Sequence, residues 1–191
     1  PTPTPTPIPT PTPTPMPTPT PMNYDVTLIS SSAADLMNTG DTVYDEYYNS
    51  TEMTTVTVKQ SYLATAVLAT VIVDPITKIA TIPQLANGEY VFTVSRNSYL
   101  TRDIAVRIEG ANIFLGDKPL FAGDINADGI IDGTDSEMLF SALGFAYGDQ
   151  DFMKKYDLNI DGIIDGTDSE MLFANLGMDM GIYGESVDYY N

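Results

Sequence analysis

The sequence predicts an α+β protein of two domains, a small β-sandwich followed by an all-α module built from one duplicated loop–helix unit. Short alternating or β-branched stretches, separated by turn residues, run from residue 23 to about residue 116. After them, the segment 124–144 returns thirty-three residues later as 157–177, with four differences in twenty-one positions. We therefore predict a β domain over 23–117 and the repeats over 118–191.

Residues 1–22 alternate Pro and Thr almost perfectly. Proline fixes φ and lacks the amide donor, so this segment is predicted to be an extended linker without a core. Because the chain begins inside this linker, we expect it to be the C-terminal part of a longer, secreted, extracellular protein. The 191 residues contain no cysteine, histidine or tryptophan, which excludes disulfides, thiol chemistry and the commonest general base.

The predicted strands of the β domain come from alternation and from β-branched runs. They cover residues 54–59, 66–73, 76–82, 89–94, 102–108 and 113–115. Pro83 should end the third of these strands, and Asn87-Gly88 predicts a tight turn before the fourth. Residues 33–37 favour a helical turn, and the Tyr-rich acidic stretch 41–50 favours a loop.

Each repeat opens with the pattern D-x-N-x-D-G-x-I-D-x-x-D, which is typical of a calcium loop. Oxygen ligands come from loop positions 1, 3, 5, 7, 9 and 12, and glycine at position 6 permits the sharp turn. The ligands predicted for the first loop are Asp124, Asn126, Asp128, the Ile130 carbonyl, Asp132 through a water, and Asp135. Those predicted for the second loop are Asp157, Asn159, Asp161, the Ile163 carbonyl, Asp165 and Asp168. Since four carboxylates in twelve residues repel one another, we expect two calcium ions to be part of the fold.

The loops differ from a regulatory EF-hand, which has an entering helix and a Glu at position 12. Here position 12 is Asp, and the preceding segment 118–123 is too short and too rich in Pro and Gly for a helix. A duplicated loop followed by a helix resembles the dockerin module of cellulosomes, over residues 123 to 177. The resemblance implies that the partner is a cohesin module of another protein.

A second resemblance lies in the β domain. The pattern Leu85-x-x-Gly88-x-Tyr90-x-Phe92-x-Val94, followed by Tyr99-Leu100-x-Arg102, is similar to the X module that precedes type II dockerins. It also resembles the carboxypeptidase-regulatory-like and Ig-like sandwiches. Both imply a stabilising companion rather than a catalytic domain. Because few residues separate the β domain from the first loop, we expect the domains to pack together through Leu120 and Phe121.

The helix after each loop shows an apolar stripe and a separate aromatic residue. Helical spacing assigns to the core Met138, Leu139 and Leu143 in the first repeat, and Met171, Leu172 and Leu176 in the second. Phe140 and Phe173 lie outside that stripe. Two equivalent outer aromatics beside small residues favour a partner surface.

The dockerin resemblance places the cohesin contact at loop positions 10 and 11 and on the outer helix face. The residues this implies are Gly133, Thr134, Glu137, Phe140, Ser141 and Gly144, with Gly166, Thr167, Glu170, Phe173, Ala174 and Gly177. Gly-Thr at positions 10 and 11 departs from the Ser-Thr of many dockerins, and no basic pair follows. The apolar face is closer to the type II kind, which anchors a scaffoldin to a cell-surface protein.

The net charge of −18 argues against nucleic acid and anionic membranes as partners. No apolar run is long enough for membrane insertion, and nothing predicts a small-molecule substrate. A non-catalytic docking module explains the sequence best. The alternatives are a glycoside hydrolase component with a carboxylate pair, which needs no histidine, and a β domain that binds carbohydrate.

Two matters stay open at this level. The tail 178–191 either packs on the β domain or the first loop, or it frays. The near-identical repeats allow a cohesin to use either helix in turn, or both at once. We expect both helices to engage together, because the β domain breaks the symmetry of the repeats.

Overall fold

A computed structural model describes residues 22–32, 53–61 and 63–184. The predicted helical turn at 33–37, the predicted loop at 41–50 and residues 1–21 of the predicted linker lie outside the described residues. Within the described part of the chain, seven β-strands precede two α-helices. No helix there is long and apolar enough to cross a bilayer.

The strands form two facing sheets. Their bounds are β1 Tyr24–Ile29, β2 Thr55–Lys59, β3 Val67–Ile72, β4 Ile79–Leu85, β5 Gly88–Ser95, β6 Arg102–Ile108 and β7 Ile113–Asp117. One sheet has the order β4-β1-β7 and the other the order β3-β2-β5-β6. All neighbouring strands are antiparallel except β1 and β7, which are parallel. Alternate residues such as Val56 and Val58 are fully buried between the sheets, as the alternating sequence requires.

Strand β1 was not among the predicted strands, and the predicted strand 76–82 is wrong at both ends. Ile76 and Thr77 lie in a turn, where their backbone amides donate to Asp74 Oδ1 at 3.0 and 2.7 Å. Strand β4 then begins at Ile79 and continues through Pro83 to Leu85. Proline is tolerated because β4 is an edge strand of its sheet, where an amide donor is dispensable.

The repeats contain two short α-helices, α1 Gly133–Phe140 and α2 Gly166–Ala174. Two 3-10 helices, Lys154–Tyr156 and Met180–Tyr183, complete the helical structure described there. The all-α expectation is not confirmed, because isolated β-bridges join Ile130 to Asp179 and Ile163 to Ala146. Each bridge ties one loop to the chain that follows the other repeat's helix, so the two repeats interlock around an approximate two-fold axis.

The β domain and the repeats share one hydrophobic core. Leu120 is buried, and Phe121 packs half-buried against the core, so the expected packing at the junction is confirmed. A backbone hydrogen bond also joins the two domains, since the Leu100 amide donates to the Phe121 carbonyl at 2.8 Å. Tyr99 forms a β-bridge with Ala122. The repeats are therefore seated directly on the turn between β5 and β6.

Candidate calcium loops and docking face

The first loop is organised around the buried carboxylate of Asp124. Its Oδ1 accepts the Asp128 amide at 3.1 Å, and its Oδ2 accepts the Gly129 amide at 3.2 Å. Gly129 has a φ of 88°, in the region that favours glycine, so the tight turn predicted at position 6 is present. The turn brings Asp128 back over Asp124.

The last predicted ligand of the first loop, Asp135, also caps helix α1. Its Oδ1 accepts the amides of Ile125 and Asn126 at 2.9 and 3.1 Å, and its Oδ2 accepts the Asp132 amide at 2.9 Å. The N-cap residue Asp132 in turn accepts the Thr134 amide at 2.7 Å, and its bond from the Asp135 backbone amide completes a capping box. The side chain that closes the loop is thus also part of the capping box that starts the helix.

The second loop repeats this arrangement. Asp157 accepts the amides of Asp161 and Gly162 at 3.1 and 2.9 Å. Its last ligand residue, Asp168, accepts the Leu158 and Asn159 amides at 2.6 and 3.2 Å and the Asp165 amide at 2.8 Å. Position 4 has positive φ in both loops, 60° at Ala127 and 61° at Ile160. A β-branched residue in this conformation indicates that the surrounding hydrogen bonds determine the loop shape.

Burial and mutual repulsion act on the loop carboxylates. Burial is the largest cause of the raised pKa of Asp124, and the charges of Asp135 and Asp128 raise it further, against hydrogen bonds from Gly129 and Asp128. The pKa of Asp168 is also raised, chiefly by burial, with a contribution from Asp161. Half-buried Asp165 shows the opposite shift, because hydrogen bonds from Thr167 lower its pKa. The buried carboxylates of both loops therefore lie in surroundings that a cation would stabilise.

The donor chemistry of both loops fits calcium, a hard cation that takes carboxylate, amide and carbonyl oxygens. Within residues 22–32, 53–61 and 63–184, no three acidic side chains are grouped closely enough to hold a metal by themselves. Part of each predicted ligand set is instead hydrogen-bonded within the loop: Asn126 Nδ2 donates to Asp128 Oδ2 at 2.8 Å, and Asn159 Nδ2 donates to Asp161 Oδ2 at 2.8 Å. The amide and backbone oxygens are needed to complete the set.

The outer aromatic residues of the two helices contact each other. The ring centroids of Phe140 and Phe173 are 5.8 Å apart with a tilt of 48°, and the side chains are 49% and 47% exposed. The other residues predicted for the partner face are also exposed, namely Gly133, Thr134, Glu137, Ser141, Gly144, Gly166, Thr167, Glu170, Ala174 and Gly177. The two helices thus present one continuous surface.

The assignment of Leu143 and Leu176 to the core is wrong, because they are 41% and 49% exposed. Helix α1 ends at Phe140 and helix α2 at Ala174, so both leucines lie beyond the helices, where helical periodicity no longer applies. The side chains that do fill the core are Leu139 and Leu172 within the helices. Leu143 and Leu176 are therefore exposed apolar side chains that follow the two helices.

The β domain contacts the repeats through side chains to which the sequence analysis assigned no role. The hydroxyl of buried Tyr99 donates to the Leu158 carbonyl, in the second loop, at 3.0 Å. Burial is the main cause of its raised pKa; the Arg96 charge opposes that shift, and the Asp168 and Asp157 charges add to it. Tyr99 belongs to the pattern that resembles the X module, but its contact with Leu158, 59 residues further along the chain, has no local sequence signal.

The tail packs rather than frays as far as Gly184, the last described residue. The Tyr183 ring stacks on Phe121 with centroids 5.4 Å apart, and the Arg102 guanidinium carbon lies 4.7 Å from its centroid. The Tyr183 hydroxyl donates to the Leu100 carbonyl at 2.9 Å and accepts the Phe121 amide at 3.2 Å. The segment after α2 is therefore anchored on the β domain.

The fold and the site define a class: a β-sandwich joined to a module of two loop–helix repeats. Residues 122–177 match the family model of the dockerin type I domain. No curated protein matches the sequence. Two solved structures are similar over 84% of this chain and 99% of theirs, both type II cohesin-X-dockerin complexes from Acetivibrio cellulolyticus. The N-terminal interface mutant is 23% identical with a TM-score of 0.61, and the C-terminal interface mutant is 22% identical with a TM-score of 0.63.

At these identities the structural likeness shows a shared fold. Together with the family match, it supports the interpretation of the chain as an X module–dockerin dyad. Dockerin domains generally bind calcium. The family model is that of the type I domain, whereas the similar structures are type II complexes.

Proposed function

We propose that this chain is a calcium-dependent docking module that binds a cohesin and so anchors a scaffoldin or an enzyme in an extracellular cellulosome. The match of residues 122–177 to the dockerin model supports this function, and so does the shared fold with chains from cohesin-X-dockerin complexes. In this proposal the chain itself is not catalytic. The linker is 1–22, the X module 23–117 and the dockerin 118–191.

The observation that carries the proposal is the contact between Phe140 and Phe173 on the exposed face of the two helices. Leu143 and Leu176 are further exposed apolar side chains, one after each helix. Contiguous exposed apolar surface of this kind is typical of protein–protein interfaces. We expect the partner to have a complementary apolar patch opposite the two phenylalanines. Exposed Glu137 and Glu170 favour polar or basic groups of the partner around that patch.

Two calcium ions complete the proposal, one in each loop, with the twelve ligands predicted above. A bound calcium ion supplies positive charge that offsets the carboxylate repulsion within a loop. The loop residues then determine how the two helices of the docking face are positioned. Asp135 and Asp168 close their loops and cap α1 and α2, so the order of each loop determines the position of the helix that carries Phe140 or Phe173.

The apolar character of the face favours a cohesin of the type II kind, even though the matching family model is that of the type I domain. The decisive experiment is size-exclusion chromatography of the full chain with a type II cohesin and, separately, with a type I cohesin. We expect co-elution with the type II cohesin in calcium and separation in chelator. The double variant Phe140→Ala with Phe173→Ala should stay separate in calcium. Co-elution that is indifferent to both chelator and the double variant would contradict the proposal.

A further inference from the structure

The two calcium loops have nearly the same sequence but different neighbours. The β domain reaches into the second loop through Tyr99, whose side chain is 7% exposed and whose hydroxyl donates to the Leu158 carbonyl at 3.0 Å. Leu158 lies at loop position 2, between the predicted ligands Asp157 and Asn159. Its own amide donates to Asp168 Oδ1 at 2.6 Å. One residue therefore connects the β domain to the carboxylate that closes the second loop.

The Tyr99 side chain is held in place from its own side of the interface. The Arg96 guanidinium carbon lies 4.3 Å from the centroid of the Tyr99 ring, and Arg96 Nη1 donates to the Ser32 carbonyl at 3.1 Å. The adjacent Ser98 hydroxyl donates to the Lys155 carbonyl at 2.7 Å, two residues before the second loop. Because the Tyr99 ring and the adjacent Ser98 are both fixed, the Tyr99 hydroxyl can restrain the backbone that it contacts.

The first loop lacks this restraint within the described residues. Its equivalent of Leu158 is Ile125, whose amide makes the matching bond to Asp135 at 2.9 Å, but no β-domain hydroxyl bonds to the Ile125 carbonyl in that part of the chain. The β domain reaches the first loop at its entrance, where the Gly123 amide donates to the Ser98 carbonyl at 2.8 Å. That contact precedes the first ligand, so it restrains the entrance of the loop rather than the backbone between its ligands.

Most backbone cross-links between the repeats are symmetric; the exception is the Tyr147 amide, which donates to the Gly162 carbonyl at 2.8 Å, whereas the described residues show no matching bond from Met180 to Gly129. In the first loop the Ile131 amide donates to the Met178 carbonyl at 2.8 Å. In the second loop the matching Ile164 amide donates to the Phe145 carbonyl at 2.9 Å. The bond from Tyr99 adds to these cross-links, and unlike them it ties the second loop to the β domain.

From this asymmetry we infer that Tyr99 is a positioning residue for the second calcium loop. Through it, the β domain gives the two sites different calcium affinities although their ligands match. The inference rests on the proposed function, since it assumes calcium in both loops. In the bound protein, Tyr99 fixes the peptide between Leu158 and Asn159, and this peptide orients Asp168 because its Asn159 amide donates to Asp168 Oδ1 at 3.2 Å. The calcium affinity of the second site then depends on the β domain, whereas that of the first site depends on it less.

The test is Tyr99→Phe in the full chain, which removes the hydroxyl and leaves the buried ring. The matched control is Tyr90→Phe, because the Tyr90 hydroxyl donates to the Ala86 carbonyl at 3.0 Å within the β domain. Calcium titrations followed by the NMR amide signals of Gly129 and Gly162 report on the two loops separately. We expect Tyr99→Phe to weaken calcium binding at Gly162 about two- to tenfold, the range for one lost hydrogen bond, and to leave Gly129 unchanged.

Amide hydrogen exchange in chelator gives a second readout that needs no bound calcium. The Leu158 and Gly162 amides should exchange faster in Tyr99→Phe than in Tyr90→Phe, and the Ile125 and Gly129 amides should not. Equal weakening of calcium binding in both loops, or the same change in Tyr90→Phe, would mean a general loss of stability and would overturn the inference. No change at Gly162 would also overturn it. A wild-type chain that shows no calcium response at either glycine contradicts the proposed function instead, and the exchange comparison still decides whether Tyr99 restrains the second loop.

Discussion

Phe140 and Phe173 pack against each other near the axis that relates the two repeats, with ring centroids 5.8 Å apart. Their contact makes the exposed faces of α1 and α2 a single surface. A partner that covers one ring must therefore reach the other. This geometry favours a cohesin that engages both helices at once over one that uses either helix in turn.

The first prediction concerns these two rings. Phe140→Ala and Phe173→Ala should each weaken cohesin binding by about 2 kcal/mol or more, because each removes an aromatic from the centre of the interface. The two losses should not be additive, since the side chains touch. Isothermal titration calorimetry of the two single variants and the double variant measures both effects. Phe114→Ala, which removes an exposed phenylalanine from β7, is the matched control and should bind normally.

The competing binding mode gives a different result in the same experiment. If either helix can serve alone, each single variant keeps one intact orientation and loses only a statistical factor of two, about 0.4 kcal/mol. Near-normal affinity in both single variants, with loss only in the double variant, would show that the helices are used in turn.

The loops could be predicted from the sequence because their shape is encoded locally. Asp124, Gly129 and Asp135 act within twelve residues, and the same spacing recurs in the second repeat. The exposure of Leu143 was missed because it depends on where α1 ends, and helix ends are poorly marked by periodicity. Strand β1 was missed for a different reason, since its partners β4 and β7 lie far along the chain.

The interface between the domains was predictable only in part. The short junction and the apolar Leu120-Phe121 pair indicated packing, which the structure contains. The contacts of Tyr99 with Leu158 and of Tyr183 with Leu100 join residues 59 and 83 positions apart. No local pattern encodes such pairs, because they form only when both domains are folded.

The second prediction concerns calcium. At a free calcium concentration 100 times the Kd, one site stabilises the folded chain by about 2.7 kcal/mol. Chelator should therefore lower the melting temperature by about 5 to 10 °C for each site lost. The double variant Asp124→Ala with Asp128→Ala should lose the response of the first site and loosen α1, while the β-sheet signal in circular dichroism persists.

A charge control accompanies that experiment. Glu89→Ala with Glu109→Ala removes two exposed carboxylates from the β domain, so it should keep the full calcium response. A melting temperature of the wild-type chain that chelator leaves unchanged would rule out calcium as part of the fold.

The third prediction concerns the anchor of the C-terminal segment. Tyr183→Phe removes the hydroxyl bonds to Leu100 and Phe121 and should cost about 1 kcal/mol of unfolding free energy. Tyr183→Ala also removes the ring that stacks on Phe121 and should cost about 2 to 4 kcal/mol. Urea denaturation measures both. Ile182→Ala changes an exposed neighbour in the same turn and should be nearly neutral; a loss as large as that of Tyr183→Ala would refute the anchor.

The fourth prediction concerns Gly123, where the β domain meets the first loop. Its φ is 131°, and a Cβ there would lie 2.9 Å from Ile131 Cγ2 and 3.2 Å from Leu172 Cγ. Gly123→Ala should therefore cost about 2 kcal/mol or more, because it combines an unfavourable backbone conformation with overpacking of the shared core. Two matched variants separate these causes. Gly116→Ala has positive φ but open space, so it should show the conformational cost alone, and Gly133→Ala has neither problem and should be neutral. The unfolding free energy should be lowest for Gly123→Ala, intermediate for Gly116→Ala and highest for Gly133→Ala. If Gly123→Ala is no worse than Gly116→Ala, then the core at the domain boundary is looser than these distances require.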